Sequence, residues 1–360
     1  MAYFRKRGDK WSFTVDIGVD QDGKRRQKTV SGFDSKKDAE IACAELITNI
    51  ERGEWSDNKD TVEGFMKDFM ESHVKMTVAP ATYENQLQIA KNHIYPILGK
   101  KQLVKLTPMD IQKLYSKKMS EGLSAGTVMN IGIILGKALR AAHQWGLITK
   151  NVASSVQKPS YRTKQMNVWT QEEVNHFLRS TTESRFHVVY LLALTTGMRI
   201  GEILALKWSA IDFKAGSLSV QLTTSYAGKK SFLKEPKTAH SRRLITLPTF
   251  VVSYLKQYRL RVPTNELDLV VPGYKKPIVH SFIVAERFMH DTETLGMKKI
   301  RFHDLRHTHA TLLLQMGENP KVVQERLGHS NISTTLNTYS HVTPTMQQKV
   351  ADKINDAFNL

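Results

Sequence analysis

The order of apolar and polar residues divides the chain into three stretches with different patterns. In the first, apolar residues alternate strictly with polar ones from Trp11 to Val19, and Asp22-Gly23 separates this run from a strand-like run at residues 26–30. Asp-Gly favours a tight hairpin because that turn needs positive φ. A helical pattern follows from Lys36 to Ile50. We predict a sheet of two or three strands backed by one helix.

The second stretch, residues 61–156, has a helical pattern throughout. Thr107-Pro108 supplies an N-cap followed by proline at the first helical position, and Gly99 and Gly122 stand where helices should end. The four predicted helices cover residues 62–72, 81–95, 108–120 and 125–145. This pattern predicts an all-α domain.

The third stretch begins at Thr170, where Thr170-Gln171-Glu172-Glu173 has the form of a capping box. Its pattern is helical, passes through short strands at residues 217–222 and 242–247, and returns to helices from about Thr249. Strands that cluster in one insert favour an α+β domain over a doubly wound sheet.

The predicted fold class is therefore α+β and multidomain, with polar linkers at residues 55–61 and 158–167. The predicted domains are a small N-terminal β-sheet plus helix (1–55), an all-α helical domain (61–156) and a mainly helical domain with a small β insert (168–360).

The charge of the chain indicates a polyanionic partner. The sequence has 52 Lys and Arg against 34 Asp and Glu, a net charge of +18 and a pI near 9.7. Residues 1–60 carry 12 basic and 12 acidic groups, residues 61–160 carry 13 and 6, and residues 161–360 carry 27 and 16. Nucleic acid is the natural partner for such an excess, and a role in solubility alone is the alternative.

The cellular setting can also be inferred from composition. The single cysteine, Cys43, lies in a predicted helix and excludes an intramolecular disulfide, so we expect a buried thiol and a reducing compartment. No run approaches the length of a membrane span, and the first residues lack the apolar stretch of a signal peptide. We expect a cytoplasmic protein that does not contact the membrane.

Basic and nucleophilic residues in the third stretch indicate phosphoryl transfer, which needs cations around the phosphate, a nucleophile and a proton donor. Arg199 follows a helix break, and Arg306 lies three residues after His303 on the same helical face. Guanidinium matches two phosphate oxygens and keeps its charge. Tyr339 could attack if cations stabilise its oxyanion, and Lys237, between the two predicted strands, could protonate a leaving oxygen.

Two alternatives apply to these residues. His303 and His307 are spaced as two ligands of a metal site, but no further ligands follow as a pattern, so acid–base work suits His303 better. Tyr339, taken alone, could be a packing residue.

Several sequence boxes resemble those of the tyrosine recombinases, in order and at suitable distances. They are Thr-Gly-Met-Arg-Ile-Gly-Glu-Ile-Leu-Ala-Leu-Lys-Trp from Thr196, Pro-Lys-Thr-Ala-His-Ser-Arg-Arg from Pro236, His-Asp-Leu-Arg-His-Thr from His303, Leu-Gly-His-Ser from Leu327 and Tyr-Ser-His from Tyr339. The helical stretch before them resembles the core-binding domain of that family more loosely. The N-terminal sheet and helix resemble the arm-binding domain of phage and transposon integrases.

The resemblance implies a site-specific recombinase that cuts DNA through a 3′-phosphotyrosyl intermediate, without metal, ATP or any other cofactor. Tyr339 would be the nucleophile, Arg199 and Arg306 would hold the scissile phosphate, and Lys237 would protonate the leaving 5′ oxygen. His303 would assist proton transfer, and His329 would bond a phosphate oxygen. Glu202 resembles a supporting acid of the family, with a helix-surface ion pair as the alternative.

The implied partners follow from the same resemblance. They are double-stranded DNA at core and arm sites, three further protomers in a homotetramer, an excisionase and a host DNA-bending protein, in the bacterial cytoplasm at the nucleoid. Basic residues that could contact DNA, or could simply be solvated, are Arg5, Arg7, Lys24, Arg25, Arg26, Lys100, Lys101 and Lys117.

Two questions stay open from the sequence. Met346, Val350, Ile354 and Phe358 repeat every four residues, and this predicted terminal helix could dock on a neighbouring protomer or on its own domain. A recombinase that resolves chromosome or plasmid dimers and a non-cleaving DNA-binding regulator are the alternative functions. The N-terminal sheet argues against the first, and the complete set of six site residues argues against the second.

Overall fold

The computed structural model of the chain describes residues 2–19, 23–51, 55, 59–159, 167–227, 230–235, 242–328, 331, 351–352, 354–356 and 358. The chain divides into two compact units, residues 1–162 and 163–360. Lys237, His329 and Tyr339 lie outside the described residues, as do parts of both predicted linkers and most of the predicted terminal helix, including Met346 and Val350.

Residues 2–51 form an antiparallel sheet with one helix packed on it. Strands β1 (Tyr3–Arg7), β2 (Lys10–Val19) and β3 (Arg25–Phe33) pair in that order, and helix α1 (Lys36–Glu51) follows. Because side chains alternate across a strand, Phe13 and Val15 are buried with Cys43 under the helix, and Ser12 and Thr14 point to the opposite face. The predicted sheet, helix and buried thiol are confirmed.

Residues 59–159 are helical and have their own apolar core. The α-helices are α2 (Val62–Phe69), α3 (Lys75–Thr77), α4 (Pro80–Ile89), α5 (Tyr95–Leu98), α6 (Pro108–Ser120) and α7 (Ala125–Gln144). A π-helical turn joins α2 to α3 and another joins α4 to α5. Thr107 caps α6 through a reciprocal bond with Asp110, and Gly122 follows α6 at a φ of 86°. The four predicted helices are confirmed.

The second unit is mainly helical, with short strands in the middle. Its helices are α8 (Gln171–Ser180), α9 (His187–Thr196), α10 (Ile200–Leu204), α11 (Thr249–Arg261), α12 (Ser281–Thr294), α13 (Asp304–Gln315) and α14 (Pro320–Leu327). Its strands are β4 (Ile211–Asp212), β5 (Ser217–Val220), β6 (Thr223–Ala227), β7 (Lys230–Lys234) and β8 (Arg243–Thr246). The sheet order is β4-β5-β8, and β6-β7 is a separate hairpin. The α+β class is confirmed.

Two details connect these elements to the sequence. Thr170 and Glu173 form the predicted capping box of α8, and the two predicted strands correspond to β5 and β8, which pair with each other. The β6-β7 hairpin, whose strands have five residues each, was not predicted.

The core of this unit surrounds α9, which is buried from His187 to Leu194. Trp169, Phe177 and Phe288 form a cluster of rings with Tyr190 of this helix, with centroids 4.9–5.7 Å apart in the contacting pairs. A helix so enclosed has little freedom to shift, which makes its C-terminal end a rigid support for the residues that follow. Across the described residues, no helix is long and apolar enough to cross a membrane.

Candidate active site

Arg199 lies at a sharp break between α9 and α10. Gly197 ends α9 with left-handed backbone (φ 67°, ψ 17°), and Arg199 takes extended backbone just before α10. A Cβ atom at position 197 would lie 2.6 Å from Leu327 Cδ2 and 2.7 Å from His309 Cδ2, so a side chain has no room there. The predicted break is confirmed, and it puts Arg199 at the start of the next helix.

Glu202 is a buried acid that connects two guanidinium groups. Its Oε1 accepts a hydrogen bond from Arg199 Nη1 at 2.8 Å, and its Oε2 accepts one from Arg243 Nη2 at 2.8 Å. Burial alone would raise the pKa of Glu202, but the bond from Arg243 and the charges of both arginines outweigh that effect and lower the pKa. At 3% exposure Glu202 does not form a helix-surface ion pair. It is an ionised support that orients the partly exposed Arg199.

Arg306 projects from α13 into the interior. Its Nη1 donates to the carbonyl oxygen of Gly197 at 2.6 Å, and its Nη2 donates to that of Leu327 at 2.7 Å. The residue is only 2% exposed. Gly197 precedes Arg199 by two positions, and Leu327 precedes His329 by two. Arg306 therefore joins the two chain segments that lead to these predicted site residues.

His303 and His307 lie at the beginning of α13, with ring centroids 5.0 Å apart and planes nearly perpendicular. The side chain of His303 reaches solvent, but desolvation by its neighbours and the positive charge of Arg306 lower its pKa, and the charge of Arg199 acts in the same direction. Burial and His303 lower the pKa of His307 to about 4. A neutral His303 can accept a proton near pH 7.

The bond from Arg306 to the carbonyl oxygen of Gly197 brings α13, which begins directly after His303, to the segment that carries Arg199. The charges of both arginines act on His303 there. Glu202 adjoins them through Arg199. Among the described residues, no group of three or more histidine, cysteine, aspartate or glutamate side chains could hold a metal ion.

The predicted DNA-contacting residues are distributed over the first unit. Arg5, Arg7 and Arg25 are exposed on the sheet, and Lys100 and Lys117 are exposed in the helical domain. Lys101 instead donates to Asp110 at 2.5 Å, where this bond helps to lower the pKa of Asp110 to about 2 against the opposing effect of burial.

Three residues near the site were not assigned from the sequence: Arg243, His309 and Arg326. Arg243 stands in the box that begins at Pro236, His309 follows His307 by two positions, and Arg326 precedes the Leu-Gly-His box. Their positions in or next to the sequence boxes could have indicated that they belong to the site. The burial of His309 and of the Arg243 side chain, and the partial burial of Arg326, were not visible, since a polar side chain in a short strand or helix is usually exposed.

Comparisons with known proteins match this architecture. The phage integrase family matches residues 167–346, an arm DNA-binding domain matches residues 2–50, and the N-terminal SAM-like domain of phage integrases matches residues 61–119. The ICEBs1 integrase of Bacillus subtilis (strain 168) is 29% identical over 287 residues, which cover 77% of this chain and 78% of that protein.

A second relative and one solved structure extend the match. A XerC-like tyrosine recombinase of Caldanaerobacter subterraneus is 28% identical over 386 residues, which cover 99% of this chain and 98% of that protein. The Tn1549 transposon integrase, solved in complex with transposon right end DNA, has a TM-score of 0.68 at 21% identity and covers 81% of this chain and 99% of its own. The fold is thus shared with a DNA-bound integrase.

Three observations agree with one another: the sequence boxes, the helix break that carries Arg199, and the family match, which spans half of the sequence. The chain belongs to the phage integrase family: it is a tyrosine recombinase, an enzyme of site-specific recombination that acts on double-stranded DNA.

Proposed function

We propose that this integrase inserts and excises a phage or other mobile element by cutting DNA with Tyr339. The observation that supports it best is the bond from Arg306 to Gly197, which joins the start of α13 with His303 to the α9–α10 break that carries Arg199. Two guanidinium groups beside a neutral imidazole suit a phosphodiester and the proton transfers of its cleavage. Glu202 and the carbonyl oxygens that bind Arg306 would hold the two cations in place before DNA arrives.

The proposed step exchanges one phosphoester for another. The phenol oxygen of Tyr339 attacks phosphorus while its proton passes to His303, and the bond from phosphorus to the 5′ oxygen breaks. Lys237 protonates that leaving oxygen, and His329 bonds a non-bridging oxygen. The product is a 3′-phosphotyrosyl ester of similar energy, which a 5′ hydroxyl from another DNA end can attack in turn. No step of this reaction requires ATP or a metal ion.

We propose residues 168–360 as the catalytic domain, residues 61–156 as the core-binding domain and residues 1–55 as the arm-binding domain. In the last of these, Tyr3, Arg5 and Arg7 share the sheet face opposite α1 with Ser12 and Thr14. This face is polar and unobstructed by the helix, so it suits a DNA groove. Lys24, Arg25 and Arg26 would extend the contact at the start of β3, and Lys100, Lys101 and Lys117 would follow the core-site backbone.

The assembly follows from the chemistry. Each active site cuts one strand, so exchange between two duplexes needs four protomers. Directional control calls for an excisionase and a DNA-bending protein of the host, and the enzyme would act at the bacterial nucleoid.

The test is a nicked, end-labelled DNA with a candidate core site, incubated with wild type and Tyr339→Phe in EDTA and resolved on a denaturing gel. The nick releases the short 5′-hydroxyl fragment, so a covalent complex accumulates. We expect a protein-linked band with wild type and none with Tyr339→Phe.

Two other outcomes separate the alternatives. DNA that is bound without any protein-linked band would favour a non-cleaving regulator. Efficient cleavage that is unaffected by removal of residues 1–55, on DNA with and without arm sites, would favour a recombinase that resolves dimers.

A further inference from the structure

Arg326, in the last turn of α14, is bonded to three other elements of the catalytic domain. Its Nη2 donates to the carbonyl oxygen of Thr195 at 2.9 Å, and Nη1 and Nη2 both lie 3.2 Å from that of Thr246. Its Nε donates to His309 Nε2 at 3.3 Å. The guanidinium thus spans the end of α9, the end of β8 and the middle of α13.

His309 presents only one ring nitrogen to Arg326 as an acceptor. Its Nδ1 lies 2.8 Å from the carbonyl oxygen of Leu194, which can only accept, so Nδ1 carries the proton and Nε2 has the lone pair. Burial, followed by the charge of Arg326, lowers the pKa of His309 to about 3. The neutral ring therefore joins the carbonyl of α9 to the guanidinium of α14.

The main chain of the same turn receives two other arginines. Arg243 Nε donates to the carbonyl oxygen of Arg326 at 2.7 Å, and Arg306 donates to that of Leu327. Carbonyls in the last turn of a helix lack partners inside the helix, and cations there also suit the helix dipole. The end of α14 is consequently fixed to β8 and α13 immediately before Gly328 and the predicted site residue His329.

These bonds converge on the turn that carries Arg199. Leu194 and Thr195 belong to the last turn of α9, and Gly197 follows them with no space for a side chain against His309 and Leu327. Any movement of α14 or α13 would therefore shift this turn. A planar fork can donate to two carbonyls and an imidazole together, whereas a lysine ammonium has neither that geometry nor its rigidity.

We propose that Arg326 and His309 are positioning residues for DNA cleavage. Together they hold the end of α9, and with it Arg199, in a fixed position relative to Arg306. Neither residue contacts the reacting phosphate in this scheme. The inference rests on the proposed function, since it assigns a support to the arginine that would hold that phosphate.

The experiment measures the rate of covalent complex formation on a nicked core site at saturating DNA, together with DNA affinity and thermal stability of the full chain. We expect Arg326→Lys to slow cleavage about 100-fold, as displacements of about 1 Å do, with affinity within about twofold of wild type. Arg287→Lys, which alters another guanidinium of the same domain that pairs with Asp291, is the matched control and should cleave normally.

Two substitutions at His309 test the hydrogen bond between His309 and Arg326 without altering a charge. His309→Gln can keep an acceptor for Arg326, whereas His309→Asn can keep the donor to Leu194 but loses that acceptor. We expect the glutamine variant to cleave faster than the asparagine variant at equal stability. Equal rates would contradict the link, and this pair also decides the matter if Arg326→Lys does not fold.

A double-mutant cycle separates positioning from general destabilisation. If Arg326 acts through Arg199, Arg326→Lys should cost little more in an Arg199→Lys background, because the coupled residues fail together. A further loss of about 100-fold would overturn the inference. If wild type itself forms no Tyr339-dependent complex, the proposed function fails. If wild type cleaves and Arg326→Lys cleaves equally well, only the positioning role fails.

Discussion

The helical domain at residues 59–159 and the catalytic domain use their charged side chains in different ways. In the helical domain Lys67 pairs with Glu63 at 2.7 Å, with side chains that are 58% and 36% exposed, and Lys117 is exposed as well. In the catalytic domain Arg243 and Glu202 pair at 2.8 Å, but their side chains are only 6% and 4% exposed. Similar ion pairs therefore have different physical consequences in the two domains.

Exposed and buried charges have different roles: the first attract DNA, and the second fix the positions of secondary-structure elements. Exposed pairs contribute about 0–1 kcal/mol, and their charges mainly raise the local affinity for a polyanion. A buried guanidinium is stable only with several partners, so each one fixes the elements that supply them. The lesson is that exposed lysines can be exchanged at small cost, whereas the arginines around Gly197 define the shape of the site. The helical domain also has intermediate cases: Lys118 is buried and bonded to Glu121, and the paired side chains of Lys101 and Asp110 are partly buried.

The largest effect should come from removing the acid of the buried pair. Glu202→Ala would leave Arg243 buried without its carboxylate partner, and we expect a loss of about 3–5 kcal/mol in the free energy of unfolding. Calorimetry of the full chain should show the change. Glu63→Ala, which breaks the exposed pair, is the control and should stay within about 0.5 kcal/mol of wild type. Similar losses for both variants would remove the distinction between the domains.

An intermediate effect should appear with pH, because burial lowers the pKa of His307 and His309. The unfolded chain binds protons at these histidines below about pH 6.5. The folded chain binds them at His307 only near its pKa of about 4 and at His309 near about 3. Stability is thus present above about pH 6.5 and is lost as pH falls toward these values.

Thermal unfolding of the full chain between pH 7 and pH 5 measures this loss. We expect the melting temperature to fall, and to fall less steeply in His307→Gln, which removes one of the titrating groups. An identical slope in wild type and variant would show that His307 does not contribute.

The smallest change in stability should come from the exposed arm surface. Replacing both Arg5 and Arg7 by alanine should weaken arm-site binding and reduce the salt dependence, by about 0.9 in the logarithmic slope for each lost phosphate contact. Stability should change by no more than about 0.5 kcal/mol. Fluorescence anisotropy over a salt series measures the slope.

Lys36→Ala with Lys37→Ala is the matched control for this pair of arginines. These two lysines begin α1, on the opposite side of the sheet, and are exposed. If the two double variants have the same slope, the sheet face is not the DNA-contacting surface.

Much of the fold was determined by signals that act over a few residues. Thr107 and Thr170 cap their helices by bonding residues three positions away, and alternation along β2 sets which side faces α1. The break at Gly197 is equally local, since an apolar helix must end where the backbone turns left-handed. The box residues Arg199, His303 and Arg306 could be chosen from the sequence for the same reason, together with the family resemblance.

The supports of the site were decided only by the tertiary structure. Glu202 bonds Arg243 across 41 positions, Arg306 bonds Gly197 across 109, and Arg326 bonds Thr195 across 131. A charged side chain has the same chemistry on a surface and in a core, and its local sequence does not state which elements will pack over it. Whether an arginine attracts DNA or holds the active site therefore depends on burial, which arises from contacts between distant parts of the chain.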